Sequence, residues 1–336
     1  MATSRLVLAA ACWMLLACPL WAGGALRVLI APEASDHTQP VVTAVAISAD
    51  GGAVVSGGDD HKIRVWNAAS GEQLLVMEGH QDWVRDLRIA PTGDRLASVA
   101  NDGSFRLWSL GDGRLQRESQ LSCDTLASVS FHPNGEQAVT TGFGAPARLH
   151  NLSADGPGES YACPCRDMRC CTVSPNGQLM AAAGRSGVVR LWPIASGGAA
   201  RDLAAGGRRI YCLAFSPQSD RIAVAGDDSI VRIFDATLGD VVMELPARPA
   251  KVRTALFLDS DRLATAGTDN AITVWDLKSR VPTHRLTGHT GTVTSLAWAP
   301  QTGRLASGSY DTTVRVWDLN QQAVNQTAKA DPATTR

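Results

Sequence analysis

The chain has 336 residues, with 31 Lys and Arg against 32 Asp and Glu and a formal net charge of -1. That balance supplies no general electrostatic pull, which argues against nucleic acid and against an anionic membrane surface as partners. Aromatic residues are 5% and glycines number 31, a composition that suits many short strands and tight turns better than long helices.

At the start of the chain, Arg5 precedes an apolar run over residues 6–17, and small residues follow at Ala22, Gly23, Gly24 and Ala25. This order reads as an export signal over residues 1–25, cleaved after Ala22 or Ala25. The run is short for a membrane span and Pro19 interrupts it, so no span is expected once the signal is removed. Leu15-Leu16-Ala17-Cys18 also has the form of a bacterial lipoprotein box, in which Cys18 would carry the lipid. Pro19, Leu20 and Trp21 continue beyond it, so lipidation is the alternative. The expected location is the periplasm or the extracellular space.

Residues 26–31 read as a strand, LRVLIA, with no related block before it. Beyond it, Trp66, Trp108, His150, Trp192, Phe234, Trp275 and Trp317 recur at intervals of 42, 42, 42, 42, 41 and 42 residues. Such a beat marks one supersecondary unit repeated. Each unit holds short runs of β-branched and small residues, such as VTAVAI from Val42, AVVSGG from Ala53 and KIRVW ending at Trp66. Turn chemistry separates the runs: Asp50-Gly51-Gly52, Pro91-Thr92-Gly93, Pro133-Asn134-Gly135, Pro175-Asn176-Gly177. A fourth run follows the aromatic, as in QLLVM from Gln73. The unit is therefore four antiparallel strands, a to d. One such sheet cannot bury both faces, whereas seven stacked around an axis can. The expected fold is all-β, a seven-bladed β-propeller of four-stranded antiparallel blades over residues 26–319. After Trp317 the chain offers no good strand d, so residues 26–31 are expected to complete the last blade. Residues 320–336 read as a flexible tail.

These blocks resemble the WD-repeat (WD40) β-propeller family, in an exported bacterial-type form. Gly79-His80 and Gly288-His289 look like its Gly-His element, and Trp275-Asp276 and Trp317-Asp318 like its Trp-Asp pair. The resemblance implies a buried network of His, Ser or Thr, Asp and Trp in each blade. Blade 2 carries His80, Ser98, Asp102 and Trp108, and blade 7 carries His289, Ser307, Asp311 and Trp317. Blade 1 keeps Ser56, Asp60 and Trp66 with His37 one residue out of place, and blade 6 keeps Thr265, Asp269 and Trp275. Blade 5 keeps only Asp228, with Phe234 for Trp, and blades 3 and 4 are degenerate at Gly144, His150, Ala182 and Ser186. These His and Asp residues mimic catalytic pairs, but their expected role is to satisfy buried polar groups.

Six arginines, Arg64, Arg106, Arg148, Arg190, Arg232 and Arg315, fall two residues before the repeat aromatic. They share its face of the strand, so stem packing with solvated heads is expected rather than a phosphate site. Eight cysteines occur, and six remain once Cys12 and Cys18 leave with the signal. Cys123 and Cys165 are one repeat apart, which makes Cys123 with Cys165 or Cys163 a candidate disulfide. Cys171 with Cys212 is a second pairing, preferred over Cys170 with Cys212. The 163–171 segment matches no standard zinc spacing. No nucleophile elbow, His-Glu-x-x-His, phosphate loop or dinucleotide fingerprint is present.

The function implied is a monomeric, non-catalytic scaffold without cofactor or metal that binds a protein or peptide on the narrow top face. The alternative is an enzyme or metal-binding protein using the central channel or the 163–171 segment. Carried over position by position, the top-face residues are Trp83, Arg85, Arg169, Arg185, Arg209, Tyr211, Lys251, Arg253 and Tyr310. Arg169, Arg185, Arg209, Lys251 and Arg253 cluster over blades 4 to 6, which points to an acidic partner.

Overall fold

The computed structural model describes residues 21–23, 27–31, 39–121, 125–154, 156, 158–194, 198–247 and 250–320. They form seven sheets arranged as the blades of one ring. Blade 1 runs Val42–Ile47, Ala53–Gly58, Ile63–Asn67 and Gln73–Met77, with every neighbouring pair antiparallel. The other blades repeat this meander, from Val84–Ile89 in blade 2 to Val293–Ala299 in blade 7. Strand a lines the axis and strand d faces outward.

Burial follows from position in the stack. Strand b is covered on both faces, so it reads as a near-continuous run of small and apolar residues. In blade 2, Leu96, Ala97, Val99 and Ala100 are fully buried. Strand d is covered on one side only, and Leu74, Val76, Val241 and Val281 lie exposed along it. Blades approach so closely that some positions tolerate no side chain. A Cβ at Gly57 would sit 2.7 Å from Val84 of the next blade, and one at Gly308 would sit 2.6 Å from Val42.

The ring closes as the sequence implies. Arg27–Ile30 pairs antiparallel with the last strand, Val28 opposite Arg315 and Leu29 opposite Val314. Leu29 turns inward and is 2% exposed, packed with Val42, Val45, Trp66 and Val316, while Val28 and Ile30 face out. At the inner edge of the same seam, Thr294 donates to the Val42 carbonyl at 2.8 Å and Ser295 Oγ accepts the Val45 N–H at 3.1 Å. Similar side-chain bonds cross other seams: the Val129 N–H reaches Asp86 at 3.0 Å, and the Cys171 N–H reaches Ser128 at 3.2 Å.

Trp21–Gly23 adds a fifth strand to blade 6, parallel to His284–Leu286. The sequence assigns these residues to the export signal and predicts no strand there. The outer edge of strand d leaves backbone groups unpaired, and a short segment can satisfy them. The other residues of the 1–25 segment that lie in 1–20, and the 321–336 part of the tail, are outside the described residues, as are Cys18, His37 and Cys123.

The predicted network is present in the blades that carry its residues. His80 meets Ser98 at 2.7 Å and Asp102 at 3.0 Å, and the Trp108 indole donates to Ser98 at 2.8 Å. Blade 7 repeats this with His289, Ser307, Asp311 and Trp317. Trp66 donates to Ser56 at 2.8 Å and Trp275 to Thr265 at 2.9 Å. Blade 3, read as degenerate, has its own solution. His150 replaces the indole, bonds Thr140 at 2.8 Å, and stacks on Phe105 with ring centroids 5.1 Å apart. Blade 5 removes both partners at once, placing Val224 and Phe234 where other blades have a hydroxyl and an indole.

Two expectations are corrected. Arg64 and Arg106 do not reach solvent: they are 7% and 6% exposed and end in ion pairs, Arg64 with Asp60 at 2.6 Å and Arg106 with Glu118 at 2.6 Å. Cys163, Cys165, Cys170, Cys171 and Cys212 are free thiols. Cys171 faces blade 3, with Sγ 3.6 Å from the Val139 carbonyl, whereas Cys170 packs with Leu213 and Phe215 of blade 5. Strand alternation puts the two on opposite faces, so Cys171 points away from Cys212.

Burial pushes the His150 imidazole from 6.5 down to about 4. A depressed histidine contributes stability that is complete above the unfolded value and lost as pH falls towards the folded one. Replacing both partners by the blade 5 pair, Thr140→Val with His150→Phe, removes that dependence. Between pH 7 and 4.5 the wild type should lose about 2–3 kcal/mol more than the double variant. Urea denaturation at both pH values checks this, and parallel losses would refute it.

Candidate functional site

Seven equivalent residues near the start of strand a, one per blade, ring the top mouth of the channel: Thr43, Arg85, Ala127, Arg169, Tyr211, Arg253 and Thr294. Strand a lies nearest the axis, so these side chains converge although their residues lie a full repeat apart in sequence. With Thr292 and Tyr310 they line a recess of about 120 Å³. Below it, the channel opens into a central cavity of about 560 Å³ that shares Thr43, Arg85, Arg169, Tyr211, Arg253 and Thr294 with the recess.

The aromatic rings act as supports for the cations. The Arg253 guanidinium lies 4.0 Å from the Tyr211 ring centroid, and that of Arg169 lies 5.0 Å from Phe143 and 5.8 Å from Tyr211. Such contacts hold a guanidinium in place while leaving its donors free. Arg169 is also neutralised by Asp167 at 2.9 Å. Arg85 and Arg253 make no ion pair among the described residues. Burial holds the Arg85 pKa below its usual value, and the like charges of Arg169 and Arg253 add to that effect. Arg85 stays charged at neutral pH all the same. The mouth therefore concentrates positive charge in a chain that is almost neutral overall, and a partly enclosed site focuses that field.

The recess brings together five of the nine predicted partner residues: Arg85, Arg169, Tyr211, Arg253 and Tyr310. The other four sit outside it. Lys251 is spent on Asp227 at 3.2 Å, so the expected uniform cluster over blades 4 to 6 is thinner than the sequence suggests. Arg209 approaches the Tyr211 hydroxyl at 3.5 Å, Arg185 is exposed, and Trp83 is 37% exposed on the rim. Arg85, which the sequence did not group with the blade 4 to 6 cations, is the residue that completes the convergence. The signal for it is the equivalence of position in blades 2, 4 and 6.

The cysteine-rich segment has a different character. Cys163 Sγ accepts the Ala147 N–H at 3.1 Å, and Cys165 Sγ lies 3.4 Å from the Asp167 carbonyl and 3.7 Å from Met168 Sδ. Burial pushes the Cys171 and Cys212 thiols up to about 12, which keeps them protonated and poor as nucleophiles or ligands. Among the described residues, no group of three or more His, Cys, Asp or Glu is arranged to hold a metal ion. Among the same residues, no helix is long and apolar enough to cross a membrane.

The sequence matches the family model described as "WD domain, G-beta repeat" at residues 31–67, 71–109, 160–193, 203–235 and 280–318, together more than half of the chain. The unmatched stretches hold blades 3 and 6, where His150 and Ala247 depart from the repeat pattern. Over 48 residues the chain is 46% identical to a probable serine/threonine-protein kinase, PkwA, of Thermomonospora curvata. That match covers 14% of this chain and 6% of the other protein, little more than one repeat.

Proposed function

The chain belongs to the WD40 repeat family, whose propellers generally serve as protein-interaction scaffolds, and from that premise we propose that it captures an acidic protein or peptide segment on its top face without catalysis. The observation that carries the reading is the pair of arginines, Arg85 and Arg253, that lack a carboxylate partner among the described residues at a mouth already occupied by Arg169. Unpaired charge in a partly buried place is costly, and a partner's Asp or Glu relieves it. Arg forks bind carboxylates bidentately, which gives direction as well as attraction. Tyr310 and Trp83 stand at the rim as amphipathic anchors with 45% and 37% exposure. We propose further that the protein acts outside the cytoplasm as a monomer, after an export signal within residues 1–25 is cleaved. Cleavage after Ala22 would cut the Trp21–Gly23 strand and cleavage after Ala25 would remove it; both leave Arg27–Ile30 to close the ring.

Two measurements test this. A fluorescent Asp- and Glu-rich peptide should bind with an affinity that falls as salt rises. The double variant Arg85→Glu with Arg253→Glu should weaken it by at least about tenfold, while Lys251→Glu should change it by less than about threefold, since Lys251 is already paired. Equal losses, or none, would contradict the assignment of the mouth. For export, intact-mass analysis of the protein from its native host should give a chain starting at Gly23 or Leu26; a full-length chain would end that part of the proposal.

A further inference from the structure

Blades 2 and 7 each seat a histidine between a hydroxyl and a carboxylate. In both, the hydroxyl lies 18 residues and the carboxylate 22 residues beyond the histidine. Counting back by the same numbers from Thr265 and Asp269 of blade 6 leads to Ala247. Part of the seat remains: the Trp275 indole still donates to Thr265 Oγ1 at 2.9 Å. Among the described residues the imidazole is missing, and Ala271 stands where Ser104 and Thr313 bring a second hydroxyl to the histidine ring.

A cavity of about 290 Å³ occupies that place, and Ala247, Thr265, Asp269, Thr273, Trp275 and Arg285 line it. Its two polar walls are under-used. Thr265 is 3% exposed, and the acceptor for its hydroxyl proton among the described residues is the Thr273 carbonyl at 3.5 Å, the outer limit of a hydrogen bond. In blade 2 the equivalent Ser98 meets His80 at 2.7 Å. Asp269 has Arg285 at 3.2 Å. Its counterpart Asp102 holds His80, the N–H groups of Gln81 and Ser104, and the Arg106 guanidinium at 3.7 Å. Arginine and imidazole therefore share one carboxylate in blade 2, and Arg285 leaves room for the same arrangement in blade 6.

We propose that this cavity is a binding site for a small molecule carrying a 1,3-diazole ring. One ring N–H donates to Asp269, the other nitrogen accepts the Thr265 hydroxyl, and the ring lies against Trp275. The tilt follows His80 on Trp108 and His289 on Trp317, with centroids 6.3 and 6.2 Å apart. The neutral ring is favoured, because it offers one donor and one acceptor to walls that present one acceptor and one donor. The volume exceeds that of a bare ring and lies near the lower end of small-molecule pockets, about 300 Å³, so the ligand has space for a short substituent. This site is separate from the top-face mouth and does not depend on its reading.

Imidazole itself is the probe, with 1-methylimidazole and pyrazole as controls. The first control lacks the N–H, and the second places its nitrogens side by side so that they cannot span the two walls. Near pH 8, where free imidazole is mostly neutral, wild-type protein should show a saturable shift of the Trp275 indole N–H resonance and a Tm rise of a few degrees at about 100 mM. Both controls should bind at least about fivefold more weakly. Ala247→His should fill the seat, raise Tm without ligand and abolish the imidazole response. Asp269→Asn, which keeps the volume, should weaken imidazole by about tenfold and stands in should the histidine variant fail to fold. A response that survives in both variants, equal responses to all three compounds, or no saturable response would overturn the proposal.

Discussion

The pairing of Arg27–Ile30 with Thr313–Val316 is the interaction on which the rest depends. Each blade buries its faces only against its neighbours, so the stack is stable only if the last blade meets the first. Blade 7 has three strands of its own at the end of the chain, and its fourth comes from the beginning. Leu29 drives that union by burying its side chain under Val314, Val316 and Trp66. The consequence reaches the candidate site. Thr294 and Tyr310 of blade 7 and Thr43 of blade 1 stand on either side of the same seam and line the recess together. An open ring would separate them and disperse the charge at the mouth.

Within each blade a second rule governs the polar residues. A buried donor left alone costs more than a pair is worth, so in every blade but blade 4, which keeps Trp192 but has Ala182 in place of the hydroxyl residue, partners are kept or removed together. Blades 1, 2, 6 and 7 keep hydroxyl and indole. Blade 3 keeps a hydroxyl and substitutes an imidazole that stacks on Phe105. Blade 5 gives up both groups for Val224 and Phe234. Blade 6 follows the rule only in part, since Thr265 and Asp269 remain while the histidine does not. Glycine has a backbone reason of its own at Gly288, where φ of +147° is a conformation that side chains rarely adopt and a Cβ would have to displace the end of the Arg315 guanidinium.

The blade number, the strand order and the closing strand were legible because repeat spacing, turn residues and apolar blocks all carry the same information. Hydrogen-bond networks were legible where their residues occur at the repeat's fixed offsets. What the repeat could not show was pairing between side chains that no offset links. Lys251 meets Asp227 across neighbouring loops, which removes it from the free cations. Arg85 joins Arg169 and Arg253 only because strand a lies next to the axis. The ion pairs of Arg64 with Asp60 and Arg106 with Glu118, by contrast, use spacings that the repeat does carry, since Arg232 meets Asp228 and Glu244 at the same offsets. Alternation separates Cys170 from Cys171, but which of the two faces blade 5 appears only once the blades are stacked. The parallel pairing of Trp21–Gly23 with His284–Leu286 falls in a stretch whose composition reads as an export signal, so no repeat block announces it.

Native-state hydrogen exchange on the full ring tests closure most directly. Amides at the joint between Arg27–Ile30 and the last strand should exchange as slowly as those of strand b in the other blades, at the free energy of global unfolding. Exchange of the 27–30 and 313–316 amides at the rate of an unstructured peptide, with the other blades still protected, would contradict the account.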